Sequence, residues 1–323
     1  MRRVVCREFG PLERLQLEEA ETPHAGVGEV VVAVRAAGVN FVDALLAQGL
    51  YQIKPPLPFT PGGEVAGEVA EVGAGVTRVR RGDRVLVVCG VGGFSTHLSA
   101  PESLVRTLPG SISFAQGAVI VQSYATALFA LTRRIALRAG ESILVLGAGG
   151  GIGLAAVDVA RHLGARVIAA ASSADKLAAA SARGASATID YEREDLKVRA
   201  RALGGGGVDV VYDPIGGTHA QSALRALRPF GRYLVVGFAS GSIPSLPANH
   251  VLLTNRSVIG IDWGAWSMQH HDENFALLDE LLGLVAAGSL QPPEPSTYPL
   301  VQAAEALAAL QSRRAVGKIA LIP

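Results

Sequence analysis

The chain has 323 residues, of which 49% are hydrophobic and 18% are charged, and its formal net charge is +1. This length accommodates two ordinary domains, each with a substantial core. The near-neutral charge and the scattered basic residues exclude a nucleic-acid footprint and a polybasic membrane patch. Together with the 38 glycines, the composition is typical of an α/β enzyme with tight turns.

The two cysteines and residues 1–10 indicate the cellular compartment of the protein. Only Cys6 and Cys89 are present, without a metal-like spacing, which favours a reducing compartment. Residues 1–10 carry charges and lack the apolar segment of a signal peptide. No apolar stretch reaches the roughly 20 residues that a membrane helix needs. We therefore expect a cytoplasmic protein.

The first part of the chain indicates a β-rich domain. Short valine-containing runs at residues 29–35, 64–72 and 84–89 predict strands, and glycine-rich turns separate them.

After residue 122 apolar strands alternate with helices. Strands are predicted at residues 142–146, 166–170, 187–190, 208–212, 232–236 and 257–261. Helices are predicted at residues 125–138, 154–163, 176–183 and 221–227. Such alternation predicts a parallel sheet covered on both faces, a doubly wound domain. The remaining chain predicts helices at 275–287 and 301–311 and a closing strand at 318–322, which can rejoin the first domain.

A glycine turn joins the first of these strands to a helix. It consists of Gly147, Ala148, Gly149, Gly150, Gly151, Ile152 and Gly153. This strand, turn and helix arrangement binds dinucleotide pyrophosphates, because glycines allow close approach and the helix start offers free N–H groups. The sequence therefore predicts a dinucleotide site here.

The end of the next strand distinguishes NADPH from NADH. An NAD enzyme places an acid there for the ribose, but this strand ends in Ser172 and Ser173. Lys176 and Tyr191 can hold a 2′-phosphate instead, so we expect NADPH. The alternative is a solvated Lys176 with Asp175 as the ribose acid.

Several motifs together resemble a known family. They lie at residues 37–43, 49–51, 61–67, 82–85, 213–217, 237–241 and 317–319, in addition to the glycine turn. Nearly end to end, the chain resembles the zinc-independent quinone oxidoreductase branch of the medium-chain dehydrogenase/reductase superfamily. The resemblance implies an α/β protein with a GroES-like catalytic domain, residues 1–122 completed by 263–323, and a Rossmann domain, residues 123–262. It also implies an active site in the cleft and a homodimer formed through the Rossmann sheets.

The resemblance bears on metal chemistry too. Zinc-dependent relatives bind catalytic zinc through a Cys and a His at the positions that correspond to Asn40 and Gly63. An amide and a glycine are not strong zinc ligands, so no metal is expected. The adjacent His270 and His271 lack a partner pattern for a metal site.

The resemblance places Asn40, Asp43 and Tyr51 beside the nicotinamide. Asn40 or Tyr51 can stabilise negative charge on a carbonyl oxygen, and Tyr51 can donate a proton. The structural alternative is that Tyr51 packs the cleft wall and Asp43 caps a helix.

Further cofactor contacts are implied for Asn40, Thr126, Gly237, Phe238 and Arg313. Trp263 and Trp266 are implied for the acceptor pocket, although buried packing explains tryptophans equally well. The expected function is metal-free hydride transfer from NADPH to a quinone. The alternatives are an NADPH-dependent enone or 2-enoyl thioester reductase and a non-catalytic NADPH-binding redox sensor.

Overall fold

Two units make up the computed structural model, which describes residues 1–312 and 315–323. Unit 1 comprises Met1–Gln122 and Pro293–Pro323, and unit 2 comprises Ser123–Pro292. The chain thus leaves unit 1, builds unit 2 and returns. The expected GroES-like and Rossmann classes correspond to unit 1 and unit 2.

The first part of unit 1 is mainly strands. They are β1 (Arg2–Val5), β2 (Gln16–Glu19), β3 (Glu29–Val39), β4 (Glu64–Val72), β5 (Arg84–Val88), β6 (His97–Pro101) and β7 (Val105–Thr107). The helices are α1 (Phe41–Gln48) and α2 (Phe114–Gly117), with 3-10 turns at Leu12–Arg14 and Glu102–Leu104. The three predicted strands are confirmed as β3, β4 and β5. Their valines contribute to the core of unit 1, because β-branched side chains pack well on a pleated sheet.

Unit 2 alternates strands and helices. Its strands are β8 (Ser142–Leu146), β9 (Arg166–Ala171), β10 (Ala187–Asp190), β11 (Val208–Asp213), β12 (Leu227–Val235) and β13 (Ser257–Gly260). Its helices are α3 (Thr126–Leu128), α4 (Gly151–His162), α5 (Ala174–Ala182), α6 (Leu196–Leu203), α7 (His219–Ala226), α8 (Ala248–Leu252), α9 (Trp263–Gln269) and α10 (His271–Ala286). The predicted helix at 125–138 is different. Two π-helical turns, Val121–Ala125 and Phe129–Arg134, flank the short α3.

The six strands of unit 2 form one parallel sheet in the order β10, β9, β8, β11, β12, β13. All six predicted strands are therefore confirmed, as is the parallel arrangement. Residues of β8 are completely buried or nearly so, as expected for a strand with both faces covered. Because parallel strands share direction, the loops after them all lie at one edge of the sheet.

The end of the chain returns to unit 1. Its elements are β14 (Ser296–Pro299), a 3-10 turn (Leu300–Gln302), α11 (Ala303–Gln311) and β15 (Ile319–Ile322). The sheet of unit 1 has the order β14, β15, β3, β4, β5, β7, and β6 pairs with β3. β15 runs antiparallel to β3, with Ile319 opposite Val39. The closing strand therefore rejoins the first domain, as the sequence predicts.

The boundary between the units differs from the expected one. Residues 263–292 were expected to complete the catalytic domain, but they belong to unit 2. Leu277 and Leu281 of α10 are fully buried there, and Glu280 pairs with Arg133 at 2.5 Å. The apolar pattern of α10 predicts a helix with one buried face. It does not reveal which sheet that face covers.

None of the helices within the described ranges is long and apolar enough to cross a membrane. Cys6 and Cys89 are both free thiols.

Candidate active site

Two close approaches shape the glycine turn between β8 and α4. Gly150 is the N-cap of α4, with an extended backbone. A Cβ at Gly153 would lie 2.2 Å from the carbonyl oxygen of Gly147, and one at Gly149 would lie 2.3 Å from the Cβ of Lys176. Only glycine fits at these two positions. These glycines let α4 and Lys176 pack closely on the turn, which is the local arrangement of strand, glycine turn and helix that dinucleotide-binding proteins share.

The loop after β9 joins that turn through Lys176. Ser172 follows the strand and Ser173 is the N-cap of α5. The half-buried Lys176 donates from Nζ to Ser172 Oγ at 3.2 Å, whereas Asp175 is exposed to solvent. Lys176 is therefore not the solvated residue of the alternative, and its contact with a 2′-phosphate stays a prediction.

Tyr191 follows β10 and lies against a side chain that the sequence analysis did not consider. Its ring centroid is 4.3 Å from that of His219, with the planes tilted by 41°. His219 is the first residue of α7, next to the loop after β11. No local motif links these two residues, which are brought together only by the sheet order.

A buried carboxylate shapes the loop after β11. Asp213 Oδ1 accepts the N–H groups of Ile215 at 2.8 Å and Gly216 at 2.9 Å. The hydroxyl of Tyr233 donates to the other oxygen, and burial raises the pKa of Tyr233, so this hydroxyl keeps its proton. Asp213, which the sequence analysis included only as part of a motif, thus fixes the backbone of this loop.

The loop after β12 packs on the loop after β11. The N–H of Ala239 donates to Pro214 O at 3.1 Å, and a Cβ at Gly237 would lie 3.3 Å from the same oxygen. The ring of Phe238 packs against Gly216, because a Cβ added to Gly216 would lie 2.9 Å from that ring. Gly237 and Phe238 therefore lie at the same sheet edge as the glycine turn.

Most predicted cofactor residues of unit 2 thus occupy the carboxyl edge of one parallel sheet. They follow β8, β9, β10 and β12 in turn. Thr126, at the start of α3, is half-buried, and its cofactor role stays a prediction. Arg313 lies outside the described residues.

The two tryptophans of α9 have different environments. Trp263 is buried, and its Nε1 donates to Asn274 Oδ1 at 3.0 Å, so it packs in the interior. Its predicted place in an acceptor pocket finds no support here. Trp266 is half-buried and lies between two rings, 4.7 Å from Phe129 and 5.4 Å from His270 between centroids.

Trp266 also lines a cavity of about 360 Å³ at the end of β13. Its other lining residues are Phe129, Arg133, Arg134, Gly260 and Asp262. Flat apolar walls beside guanidinium groups suit a planar conjugated molecule. Trp266 is thus partly accessible beside this cavity, and its role in an acceptor pocket stays a prediction.

In unit 1 a group of buried polar residues surrounds Asn40. We call Asn40, Asp43, Glu64 and Lys318 the Asn40 cluster. Asn40 follows β3 and caps α1, and its Nδ2 donates to Glu64 Oε1 at 3.0 Å. Lys318 donates from Nζ to Asn40 Oδ1 and lies 3.4 Å from Glu64 Oε1. The end of β3, the start of β4 and the residue before β15 thus converge on one amide.

Asp43 has the capping role that the sequence analysis kept as its alternative. Its Oδ2 accepts the backbone N–H of Asn40 at 2.8 Å, and its side chain is completely buried. Burial raises the pKa of the Asp43 carboxyl to about 7, against smaller lowering effects from the Asn40 N–H and the charge of Lys318. A group with no exposed surface does not touch a substrate, so the direct catalytic role predicted for Asp43 is not supported.

The residues at the positions of zinc ligands do not fit zinc. The Asn40 amide is occupied by Lys318 and Glu64, and a Cβ at Gly63 would lie 2.7 Å from Gln122 Nε2. Burial, with the nearby carboxylates, raises the pKa of the Cys89 thiol to about 12, so it is not a thiolate donor. Within the described residues, no group of three or more His, Cys, Asp or Glu side chains is placed to hold a metal ion.

Tyr51 lies in the loop after α1. It is half-buried and packs against the apolar core of unit 1. This placement agrees with the packing alternative and leaves the proton-donor role a prediction.

Sequence reasoning missed the roles of Glu64 and Lys318. Both belong to motifs that carry the resemblance, at 61–67 and 317–319, but 254 residues separate them. A paired buried charge has no local signature, so only their unusual position among apolar strand residues could have indicated it.

Comparisons with known proteins agree with both units. Residues 26–122 match the family model described as alcohol dehydrogenase GroES-like domain, and residues 151–281 match the one described as zinc-binding dehydrogenase. The quinone oxidoreductase-like protein 2 homolog of Nematostella vectensis is 39% identical over 99% of this chain and 88% of its own. The quinone oxidoreductase of Pseudomonas aeruginosa is 35% identical over 100% and 99%.

A solved structure gives the same result. The Escherichia coli quinone oxidoreductase, crystallised with NADPH, superposes with a TM-score of 0.92 at 31% identity, covering 100% of both chains. Full-length matches above 30% identity, in sequence and in structure, show the family directly. The chain is an oxidoreductase of the quinone oxidoreductase group within the medium-chain dehydrogenase/reductase superfamily.

Proposed function

We propose that the protein is an NADPH-dependent reductase that passes a hydride to a quinone without a metal. The observation that carries the cofactor assignment is the loop after β9, where Lys176 and Ser172 replace the expected acid. Gly149 and Gly153 leave no room for side chains, which fits a pyrophosphate against the backbone. The E. coli relative that was crystallised with NADPH supports the same choice.

The nicotinamide, when bound, supplies the hydride. The chain provides positions and hydrogen-bond donors. Nδ2 of Asn40 donates to the carbonyl oxygen of the acceptor as negative charge develops there, and Tyr51 is a second donor. A conjugated dicarbonyl accepts a hydride readily, so two neutral donors suffice without a Lewis acid.

The quinone oxidoreductases among the relatives support a quinone as the acceptor. An enone or a 2-enoyl thioester needs a proton at carbon after hydride transfer, for which Tyr51 is the candidate donor. The test must distinguish a quinone reductase from a reductase of these substrates and from a non-catalytic redox sensor.

The test is the loss of NADPH absorbance with purified, EDTA-treated protein. Acceptors are a benzoquinone, a polycyclic quinone, an enone and an enoyl thioester, each also run with NADH. Turnover of quinones with a preference for NADPH supports the proposal. Turnover of only the enone or thioester selects the alternative reductase. NADPH binding without any turnover selects the sensor, and activity that depends on added zinc rejects the mechanism.

For assembly, we propose a homodimer through the edge of the unit 2 sheet. β13 is an edge strand, and its Val258 is exposed, as are Leu252 and Leu253 just before it. An unpaired apolar edge strand can pair with its own copy across a two-fold axis. We expect Val258→Lys to give a monomer in analytical ultracentrifugation. Val301→Lys, at an exposed valine of unit 1, is the matched control and leaves the dimer intact. The cytoplasmic location stays a prediction.

A further inference from the structure

Glu64 and Lys318 form a charged pair in the interior of unit 1. Burying two charges costs desolvation free energy that a pair on the surface would not lose. The side chains of Glu64 and Lys318 are 1% and 10% exposed, and Lys318 Nζ is 3.4 Å from Glu64 Oε1. Removing two charges from water costs more than their attraction returns unless further hydrogen bonds compensate. Here the compensating group is the amide of Asn40, which contacts both charges.

The two charges allow the amide only one orientation. Lys318 donates from Nζ to Asn40 Oδ1, and Asn40 Nδ2 donates to Glu64 Oε1 at 3.0 Å. An ammonium only donates and a carboxylate only accepts. A flipped amide would direct its NH₂ group at the ammonium and its oxygen at the carboxylate, so both hydrogen bonds would be lost.

The partners of the amide are themselves fixed by the backbone. Glu64 Oε2 accepts the N–H of Gln122 at 3.0 Å, and the carboxylate lies against Gly38, where a Cβ would approach it to 2.9 Å. The backbone N–H of Asn40 donates to Asp43 Oδ2 at 2.8 Å. The Glu64 carboxylate therefore cannot rotate without breaking its bond to Gln122, and the backbone from which the Asn40 side chain projects is fixed by Asp43.

We infer that Lys318 and Glu64 are positioning residues that orient and polarise Asn40 as the hydrogen-bond donor to the acceptor's carbonyl oxygen. The inference rests on the proposed role of Asn40. Glu64 takes one of the two Nδ2 hydrogens and leaves the other outside this network. The ammonium on Oδ1 withdraws electron density from the amide, which makes the remaining N–H a stronger donor. The pair thus prepares a neutral side chain to donate a hydrogen bond to the acceptor.

The test removes both charges together. The double variant Lys318→Met with Glu64→Gln removes the ion pair as a unit, and it is assayed at pH 6, where the Asp43 carboxyl, with its pKa of about 7, is mainly neutral. The neutral amide introduced beside Asn40 can hydrogen-bond either orientation of the Asn40 side chain. We expect kcat for quinone reduction to fall about tenfold, less than the roughly 100-fold expected when the donor is deleted in Asn40→Ala. The Kd for NADPH changes less than about twofold, because the glycine turn and Lys176, which are proposed to hold its phosphates, lie in unit 2. Lys318→Arg, which keeps the donor and the charge, recovers most of the turnover.

A matched control separates positioning from stability. Arg232 and Glu141 form an ion pair at 2.5 Å near the amino ends of the unit 2 strands, with side chains about one-fifth exposed. Arg232→Met with Glu141→Gln removes that pair, and we expect unfolding at a lower temperature with kcat unchanged. In the Asn40→Ala background, removing the Lys318 and Glu64 charges has no further effect on kcat, because no amide is left to orient.

A spectroscopic readout does not depend on turnover. The chain contains only four asparagines, at positions 40, 249, 255 and 274. Labelling with [¹⁵N]asparagine therefore gives four side-chain amide pairs, and Asn40→Asp identifies the pair of Asn40 by its disappearance. We expect the two Nδ2 hydrogens of Asn40 to be widely separated in shift and slow to exchange in the parent protein. In the double variant they converge and exchange faster.

The outcomes distinguish the two proposals. If the parent protein reduces no quinone, the proposed function fails, and the amide spectra alone decide whether Lys318 and Glu64 orient Asn40. If the parent reduces quinones but the double variant keeps its kcat, the positioning role is overturned. Equal losses of kcat from charge removal with and without the Asn40 side chain overturn it too, as do amide spectra that the double variant leaves unchanged.

Discussion

Lys176 Nζ donates to Ser172 Oγ at 3.2 Å, across the first turn of α5, while the Cβ of Lys176 abuts Gly149 of the glycine turn. One lysine therefore connects the two loops that a dinucleotide would contact at its pyrophosphate and its adenosine ribose. The preference for NADPH follows from this arrangement and can be tested at either residue.

Lys176→Ala should weaken NADPH binding and leave NADH binding nearly unchanged. A hydrogen bond to a charged group contributes about 1.5–3 kcal/mol, so Kd for NADPH should rise roughly 10- to 100-fold. Nucleotide fluorescence titrations measure both constants. Ser172→Asp should reverse the preference, because a carboxylate repels a 2′-phosphate and accepts from a ribose hydroxyl. Equal weakening of both cofactors by Lys176→Ala would show that the lysine does not contact the phosphate.

Gly153→Ala should both destabilise the protein and abolish dinucleotide binding. Its Cβ would meet the carbonyl oxygen of Gly147 at 2.2 Å, so the turn and α4 must separate. The expected loss is about 1–3 kcal/mol of unfolding free energy, typical of overpacking. Urea unfolding and NADPH titration are the two measurements.

A second helical glycine serves as the control for that substitution. Nothing lies within 4 Å of a Cβ at Gly283, inside α10. Gly283→Ala should therefore stabilise the protein by about 0.5–1 kcal/mol, because alanine has less backbone freedom to lose. If both alanines had the same effect, the close approach at Gly153 would not be the cause.

Asp43 should make stability fall as the pH rises. Its pKa is about 7 in the folded protein, above the ordinary value of 3.8 that applies when unfolded, because burial favours the neutral acid. Its stabilising contribution is complete below pH 4 and is lost as the pH rises toward 7, by at most about 1.4 kcal/mol per pH unit. Asp43→Asn, which imitates the neutral acid, should lack this loss.

The measurement for Asp43 is the difference in unfolding free energy between the parent and Asp43→Asn at pH 5 and pH 8. The parent should lose stability relative to the variant at the higher pH. Parallel curves for the two proteins would contradict the elevated pKa of Asp43.

Asp158 should be the most sensitive polar position of α4. It is 1% exposed and accepts from Tyr124 Oη at 3.1 Å, from Arg161 at 2.9 Å and from the N–H of Gln291 at 2.7 Å. Asp158→Ala leaves three donors without their acceptor, at a cost of about 3 kcal/mol. Tyr124→Phe removes one donor only and should cost about 1 kcal/mol. If Asp158→Ala and Tyr124→Phe lowered the free energy of thermal unfolding equally, Asp158 would not stabilise the protein through all three hydrogen bonds.

The fold of unit 2 could be predicted because its signals are local. Each strand is a short apolar run, and the glycine turn marks the first crossover. The boundary at residue 263 was wrong because the leucines of α10 indicate a buried face without identifying what covers it. A single α-helix was predicted at residues 125–138, but the structure has two π-helical turns on either side of the short α3. The spacing of apolar residues does not distinguish a π-helical turn from an α-helix.

The candidate site could be predicted in part. Gly153 and Lys176 were found because a motif fixes their spacing. Lys318 and Glu64 were not assigned a role, because a charged pair formed by distant strands leaves no pattern in either segment. The buried position of Trp263 could not be predicted, because an aromatic residue near a site and one in a core look alike in sequence.

The return of the chain to unit 1 has a consequence for the order of folding. The bond between Lys318 and Asn40 spans 278 residues, and all of unit 2 lies between them. Closing so long an unstructured loop is entropically unfavourable and slow, and prior collapse of the intervening residues shortens the effective loop. Unit 2 should therefore gain its protected amides first in a refolding experiment, and the pairing of β15 with β3 should be among the last events. The Asn40 amide would then reach its single orientation only when the whole chain is native.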